Sequence, residues 1–312
     1  MPVPTVLHRP VLVEQVFDDV ELPLRLVREH APYLPVQRYF ANAAEEAVQN
    51  AAKSIDDSDR KTRERAGGAS LTVLPVFRGD WAYDVPLVAG AELVLDNERL
   101  AEAARTVFGS AVVVPQIVYV NLTTPMPAQP VGHTDIPAFR GVDRTDHPTW
   151  LLTMMGMSGL FESHRVRIAT AVAWYYDGPG GGFTYWPDGP DAPSARHEPP
   201  FTNTAIVGDN DFMFHRVEGI GGAEQRPPRG MTLATELAPA PDDGDTWEIR
   251  DDGRVLARYP LHDVRISISW KAKVFRDDEE RRTADEHLDD ITLDEVVDRF
   301  LADLEASEKA AQ

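Results

Sequence analysis

From Ala111 to Phe275 the chain is cut by Gly, Pro, Asp and Asn into short apolar or alternating segments, and this punctuation limits the fold more than any other feature. The segments are AVVVPQIVYVNL from Ala111, VRIATAVAWYY from Val166, GGFTYW from Gly181, NTAIVGD from Asn203, DFMFHRV from Asp211, MTLATEL from Met231 and VRISISWKAKVF from Val264. TWEI and RVLARY flank Asp251-Asp252-Gly253, a hairpin signal, because the tight turns that match strand twist favour Asp and Gly. Many short strands with turn punctuation predict an antiparallel sandwich or barrel, of which the jelly roll is one form. A single helical segment, Trp150 to Phe161, interrupts the series.

The flanks read differently. Val6 to Phe17 alternates loosely and suits a strand. Leu24 to Ala52 holds a helix-like stretch, NAAEEAVQNAAK, rich in good helix formers. Ser54 to Ser70 is polar, contains Gly67-Gly68 and reads as a loop. Leu71 to Phe77 reads as a strand, and Asn97 to Val107 as a short amphipathic helix ended by Gly109. The tail, LDEVVDRFLADLEASEKAAQ, has apolar residues at helical spacing. The expected organisation is one globular unit: mixed elements over 1–110, a mainly β core over 111–276, and a C-terminal helix over 277–312.

Charge and residue usage exclude several function classes. The chain carries 51 acidic against 31 basic residues, a formal charge of −20. Such a surface repels phosphate backbones, so nucleic acid is not an expected partner. No apolar run approaches the ~20 residues that span a bilayer, so a membrane is not expected either. The start of the chain has neither the basic nor the apolar part of a signal peptide. With no cysteine, disulfides, thiolate ligands and a Cys nucleophile are excluded, which fits a cytoplasmic protein. The sequence is silent on oligomeric state.

The chemistry concentrates at His133-Thr134-Asp135 and at His215. Residues i and i+2 of a strand share a face, so one short strand can offer an imidazole and a carboxylate to the same ion. A second His from a distant strand completes three ligands on one side of a metal and leaves other positions open. Two His and one carboxylate so arranged are the mark of non-haem Fe(II) oxygenases. The same ligands accept Mn, Co, Ni or Zn, so they do not by themselves choose the metal. The spacing alone is weak. His287-Leu288-Asp289 also matches it, but no His follows, and its acidic surroundings read as solvated surface. A hydrogen-bonded core pair at 133 and 135, and a satisfied core His at 215, are the structural alternatives.

Period-two alternation places Arg265, Ser267, Ser269 and Lys271 on one face of a late strand. An Arg with a Ser two residues on suits a carboxylate, the guanidinium as a fork and the hydroxyl as a further donor. A solvent-facing polar strand face is the alternative. Gly178 to Gly182 lacks the Gly-Lys-Ser/Thr of a phosphate loop and reads as a turn. Trp150, Trp174, Tyr176, Tyr185 and Trp186 read mostly as core, and Met154, Met155 and Met157 as core filler.

His-x-Asp, then GGFTYWPDGP, then NTAIVGDNDFMFHRVEG, then Arg-x-Ser on a late strand, resembles the Fe(II)/2-oxoglutarate-dependent oxygenase superfamily over roughly Ala111 to Phe275. The resemblance implies a double-stranded β-helix, the jelly-roll, cupin-like core. It implies Fe(II) held by His133, Asp135 and His215, with 2-oxoglutarate as cosubstrate and O₂ as oxidant. Arg265 would pair with the distal carboxylate of 2-oxoglutarate and Ser267 would assist, with Tyr119 and Asn121 as further cosubstrate-pocket candidates. The gap of 50 residues from His215 to Arg265 is longer than the family often shows. Arg226 and Arg229 lie nearer, but in a Pro-rich loop, and a strand positions a side chain more rigidly. Because Asp135 is present, the resemblance implies a hydroxylating, desaturating or cyclising enzyme and not a halogenase. The expected substrate is a small molecule such as an amino acid or natural-product intermediate, and Arg140 is a candidate to hold it. A cupin-like metalloenzyme that does not use 2-oxoglutarate, and a non-catalytic small-molecule-binding barrel, stay open at this point.

Overall fold

The computed structural model describes residues 8–39, 73–128, 131–144 and 146–310. The helix-like stretch from Asn42 to Lys53 and the loop from Ser54 to Ser70 lie outside these residues. In chain order the first strands are β1 (Val11–Val13), β2 (Leu34–Pro35), β3 (Val76–Tyr83) and β4 (Val85–Pro86). Then come β5 (Val112–Thr123), β6 (Ala138–Phe139), β7 (Arg165–Tyr176), β8 (Phe183–Trp186), β9 (Ala195–His197), β10 (Phe201–Gly208) and β11 (Phe214–Val217). β12 (Glu236–Pro239), β13 (Thr246–Asp251) and β14 (Arg254–Pro260) form a separate small sheet, and β15 (Arg265–Phe275) is the last strand.

The winding of the core follows from the pairings. One large antiparallel sheet runs β1-β10-β7-β15-β5-β3-β2, and a small sheet runs β11-β8-β9. The segment at His133 adds a position to the small sheet by pairing with His215 of β11. Along the chain the path therefore alternates between sheets: β5 large, His133 small, β7 large, β8 and β9 small, β10 large, β11 small, β15 large. That is a double-stranded β-helix, a jelly roll, and the protein is mainly β with flanking helices.

Each face of the large sheet has its own task. The outer face is apolar, with Ile266, Ile268, Trp270, Ala272 and Val274 of β15 all buried. It is covered by α1 (Leu22–Glu29), α2 (Glu92–Leu95) and α3 (Glu98–Phe108). Helix α3 starts where the Asn97 side chain accepts from the Leu100 amide at 3.1 Å, a cap worth ~1 kcal/mol. It ends at Gly109, whose φ of 60° is the left-handed conformation that costs glycine least. The indole N–H of Trp270 donates to the Leu95 carbonyl at 2.8 Å, tying the central strand to this layer. The inner face is polar in β15, and it lines the cavity described below.

Several segments fall where the sequence puts them, and others do not. Asp252 and Gly253 both have positive φ and join β13 to β14, as the Asp-Asp-Gly signal predicts. The strand expected from Met231 begins only at Glu236, after a turn held by Thr232 and Thr235 on Asp251. The first hundred residues do more than pack on the core. β1 pairs with β10 and β3 pairs with β5, extending the core sheet at both edges. α4 (Thr149–Ser158) buries Met155, but Trp150, Met154 and Met157 are exposed, contrary to their reading as core filler. α5 (Asp278–Asp285) and α6 (Leu293–Ala310) close the chain, and Val296 of α6 packs with Leu152, Met155 and Phe161.

Beside the cavity, Arg165 of β7 donates to both carboxylate oxygens of Asp209 at 2.5 Å, and each side chain is 2% exposed. The guanidinium also lies 3.9 Å over the Phe212 ring. Removing one partner of such a pair strands a buried charge. Arg165→Met is expected to cost about 3–5 kcal/mol of unfolding free energy. Urea denaturation checks this, and a loss under ~1 kcal/mol would show the pair to be solvated.

Candidate metal centre and cosubstrate pocket

His133 and His215 face each other across a strand pairing. Each backbone N–H donates to the other residue's carbonyl at 2.8 Å. Two residues so paired put their side chains on one face, about 5 Å apart. Their rings sit at 4.5 Å between centroids, tilted by 53°. Asp135 follows two residues after His133, with its own N–H donated to the Asn210 carbonyl at 2.8 Å. Its Oδ1 is 3.9 Å from Nε2 of His215. One ligand atom from each of the three residues lies within 4.8 Å of the others. Among the described residues this is the one group of acids and His that can hold a metal in this way.

The donor set suits a divalent transition metal. Nδ1 of His215 is 2.9 Å from the Met213 carbonyl, which only accepts, so in the neutral ring Nδ1 carries the proton. That leaves the Nε2 lone pair for an ion, the second-shell arrangement that metal-binding imidazoles use. An ion at ~2.0–2.2 Å from each donor needs donors roughly 3 Å apart. The ligand atoms here, within 4.8 Å of one another, would have to draw closer around the ion. Two imidazoles and one carboxylate on one side leave positions for other ligands.

Asp135 does not stand alone. Nζ of Lys271 donates to Asp135 Oδ2 at 2.6 Å and to Thr170 Oγ1 at 3.0 Å. Burial by itself would raise the Asp135 carboxyl, but the Lys271 ammonium and the two imidazoles outweigh it and hold it below the usual carboxylate range. The next acid, Asp211, is pushed well above its ordinary value by burial and by the charge of Asp209.

A cavity of about 230 Å³ runs from the three residues to Arg265. Tyr119, Asn121, Ser267 and Trp174 line it. Register explains the grouping: Ser267 pairs with Asn121 on one side and Trp174 on the other, and Ser269 pairs with Tyr119. Arg78 of β3 covers the Tyr119 ring, 3.8 Å from its centroid.

Arg265 is the unusual group. It is 2% exposed, and none of the ion pairs among the described residues involves it. Its Nε donates to the Gly181 carbonyl at 2.8 Å, while Nη2 is buried without a partner. Gly181 has φ of +73°, and a Cβ there would meet Tyr176 at 2.8 Å and the Arg265 Cδ at 3.1 Å. Only glycine lets the carbonyl come this close. Burial pulls the guanidinium down to about 10. Two further buried groups on the cavity wall lack partners, the Trp174 indole Nε1 and the Asn121 Oδ1. The Arg265 guanidinium lies 5.9 Å from the Trp174 ring centroid.

The other candidates are placed as follows. Arg140 is not brought to this cavity: its Nε and Nη2 each donate to Asp289 at 2.7 Å, and Nη2 also donates to the Ser163 carbonyl. Two residues past Pro137 the chain has already turned toward the C-terminal helices, so nearness to Asp135 in sequence does not persist in space. Arg226 and Arg229 are exposed, and Arg226 is occupied by loop carbonyls. His287 is exposed and bonded to Asp290. Lys271 and Trp174 received no role from the sequence. Period two puts Lys271 on the face of Arg265, but its contact with Asp135 depends on how two distant strands meet.

No protein-family model matches the chain, and no curated protein matches it. Similar solved structures include a 2OG-Fe(II) oxygenase family oxidoreductase from Burkholderia pseudomallei, 12% identical, with TM-score 0.43 and 86% of each chain covered. A prolyl-4-hydroxylase from Pseudomonas putida is 12% identical, with TM-score 0.38, covering 86% of this chain and 94% of that one. HygX from Streptomyces hygroscopicus, solved with nickel and 2-oxoglutarate, is 9% identical, with TM-score 0.37, covering 86% and 84%. Likenesses of this size carry no chemistry from those proteins to this one. The chemistry rests on the side chains of the site.

Proposed function

We propose that this chain is an Fe(II)- and 2-oxoglutarate-dependent oxygenase, with His133, Asp135 and His215 as the iron ligands and Arg265 as the anchor of the cosubstrate. The observation that carries the reading is the buried, unpartnered Nη2 of Arg265 in the same cavity as the three ligands. A cation buried without an acid is costly unless a ligand supplies one. A diacid with one carboxylate for the guanidinium and a keto-acid end for the metal answers both features.

The bound iron, with 2-oxoglutarate and O₂, supplies the oxidising power: 2-oxoglutarate, O₂ and a C–H bond give succinate, CO₂ and a C–OH. The protein's share is positioning and charge. Gly181 fixes the Arg265 fork through Nε, and Nη2 takes a distal carboxylate oxygen in a charge-assisted bond. The Ser267 hydroxyl and the Trp174 indole N–H are the further donors on the wall. Tyr119 and Asn121 border the same space. Trp174 and Phe201 keep water from the guanidinium, whose carbon lies within 6 Å of both rings, and a dry site strengthens the pairing. The confined cavity and the acidic surface favour a small molecule as substrate, an amino acid or natural-product intermediate.

The test is an anaerobic titration of metal-free protein with Fe(II) and then 2-oxoglutarate. A visible charge-transfer band of the chelated keto-acid is expected. Iron binding with no band would leave a metalloenzyme that does not use 2-oxoglutarate. No metal binding would end the reading altogether.

A further inference from the structure

The two oxygens of Asp135 have different partners. Oδ1 lies 3.9 Å from Nε2 of His215, on the side of the imidazoles. Oδ2 takes the Lys271 ammonium at 2.6 Å. The ammonium is itself placed from two directions. β15 carries Lys271 on the face of Arg265 and Ser267, with Thr170 directly across in β7, and the Thr170 hydroxyl takes a second N–H at 3.0 Å. The Asp135 backbone is fixed as well, through Asn210.

A carboxylate can give a metal one oxygen or both. A second oxygen engaged in a short charge-assisted bond is not free to join the first. We propose that Lys271 is a positioning residue that restricts Asp135 to single-oxygen ligation and so keeps a coordination position open for the keto-acid. This rests on the reading of the triad given above and adds a role for a residue outside it. Two effects of Lys271 then oppose each other. Its charge repels an incoming cation, and its hydrogen bond keeps the third ligand from occupying a place the cosubstrate needs.

Lys271→Met retains length and removes charge and donor. Metal alone should then bind as tightly as in the wild type or more tightly. 2-Oxoglutarate should bind the metal-loaded variant about tenfold or more weakly, the scale of changes next to metal ligands. A merely structural lysine would lose both affinities together. The experiment uses the full chain, anaerobically, with wild type, Lys271→Met and Lys271→Arg. Fe(II) affinity is read by competition with a chromophoric chelator, and 2-oxoglutarate affinity by the charge-transfer band. The expected pattern is unchanged or tighter metal binding with weakened cosubstrate binding in Lys271→Met, and near wild-type values in Lys271→Arg. Wild-type cosubstrate affinity in Lys271→Met, or joint loss of both ligands, overturns the role of Lys271. A wild type that binds iron but gives no band removes the function on which that role stands. If Lys271→Met does not fold, Thr170→Val frees one anchor of the ammonium and must weaken 2-oxoglutarate while sparing metal; unchanged cosubstrate affinity there overturns the proposal.

Discussion

Arg265→Leu is expected to weaken 2-oxoglutarate binding to the iron-loaded protein by about 10- to 100-fold, without lowering the melting temperature. The first half follows from the worth of a charge-assisted hydrogen bond, ~1.5–3 kcal/mol, where every ~1.4 kcal/mol is tenfold. The second half follows from the surroundings of the side chain. Arg265 is buried with Nη2 unpaired, so the folded protein bears its desolvation with no acid to offset it. Leucine loses one hydrogen bond, to Gly181, worth ~1 kcal/mol, but relieves that cost. The expected change in stability is near zero or favourable. Adding saturating 2-oxoglutarate should stabilise the iron-loaded wild type and not the variant, because a ligand stabilises only the state that binds it. Isothermal titration and thermal melts check both parts. Full cosubstrate affinity in the variant would remove Arg265 from the site. A melting temperature lower by many degrees would instead make the guanidinium a structural element.

His215→Ala should abolish iron binding at micromolar metal and with it all 2-oxoglutarate-dependent oxygen consumption. The loss should exceed the 10–100-fold produced by changes one shell out from a metal, because a donor is removed outright. His215 also forms the pairing that fixes His133, but that pairing uses the backbone and survives in alanine. The remaining His133 and Asp135 are two donors, too few to enclose an ion against water. His287→Ala is the control, since that side chain is exposed and bonded to Asp290; it should leave affinity unchanged. Equilibrium dialysis against Fe(II) measures both. Retained stoichiometric binding in His215→Ala would place the metal elsewhere.

Period and punctuation carried the jelly roll. Alternating segments and the Asp251-Asp252-Gly253 turn are local signals, and they survive folding because neighbouring residues decide them. The same is true of His133 and Asp135, which share a face within one short stretch. What sequence alone left out depends on pairing between distant strands. Lys271 meets Asp135 across 136 positions of chain, and no spacing rule reaches that far. Arg140 failed for a related reason: five residues from Asp135, it lies in the turn after β6, where its side chain meets Asp289. Trp150, Met154 and Met157 read as core by composition, yet α4 buries its other side against Val296 and Phe161. A helix that is apolar nearly all round does not reveal which stripe it hides. The sequence reads strands over Val6–Phe17 and Leu71–Phe77, where β1 lies and β3 begins, but only their partners in β10 and β5 make them part of the core sheet.

The place of β15 has a consequence for how the protein is made. This last strand lies in the middle of the large sheet, hydrogen-bonded to β7 on one side and β5 on the other. A ribosome adds roughly 5–20 residues per second, so β5 and β7 wait many seconds for the strand that joins them. During that interval each presents an open edge, the kind of surface that pairs with other chains. The nascent protein cannot complete either its sheet or its binding cavity until residue 275 has left the exit tunnel. Chains released early, or made faster than they are guarded, should therefore collect in aggregates, and a chaperone that shields strand edges should raise the soluble yield more than one that assists late packing.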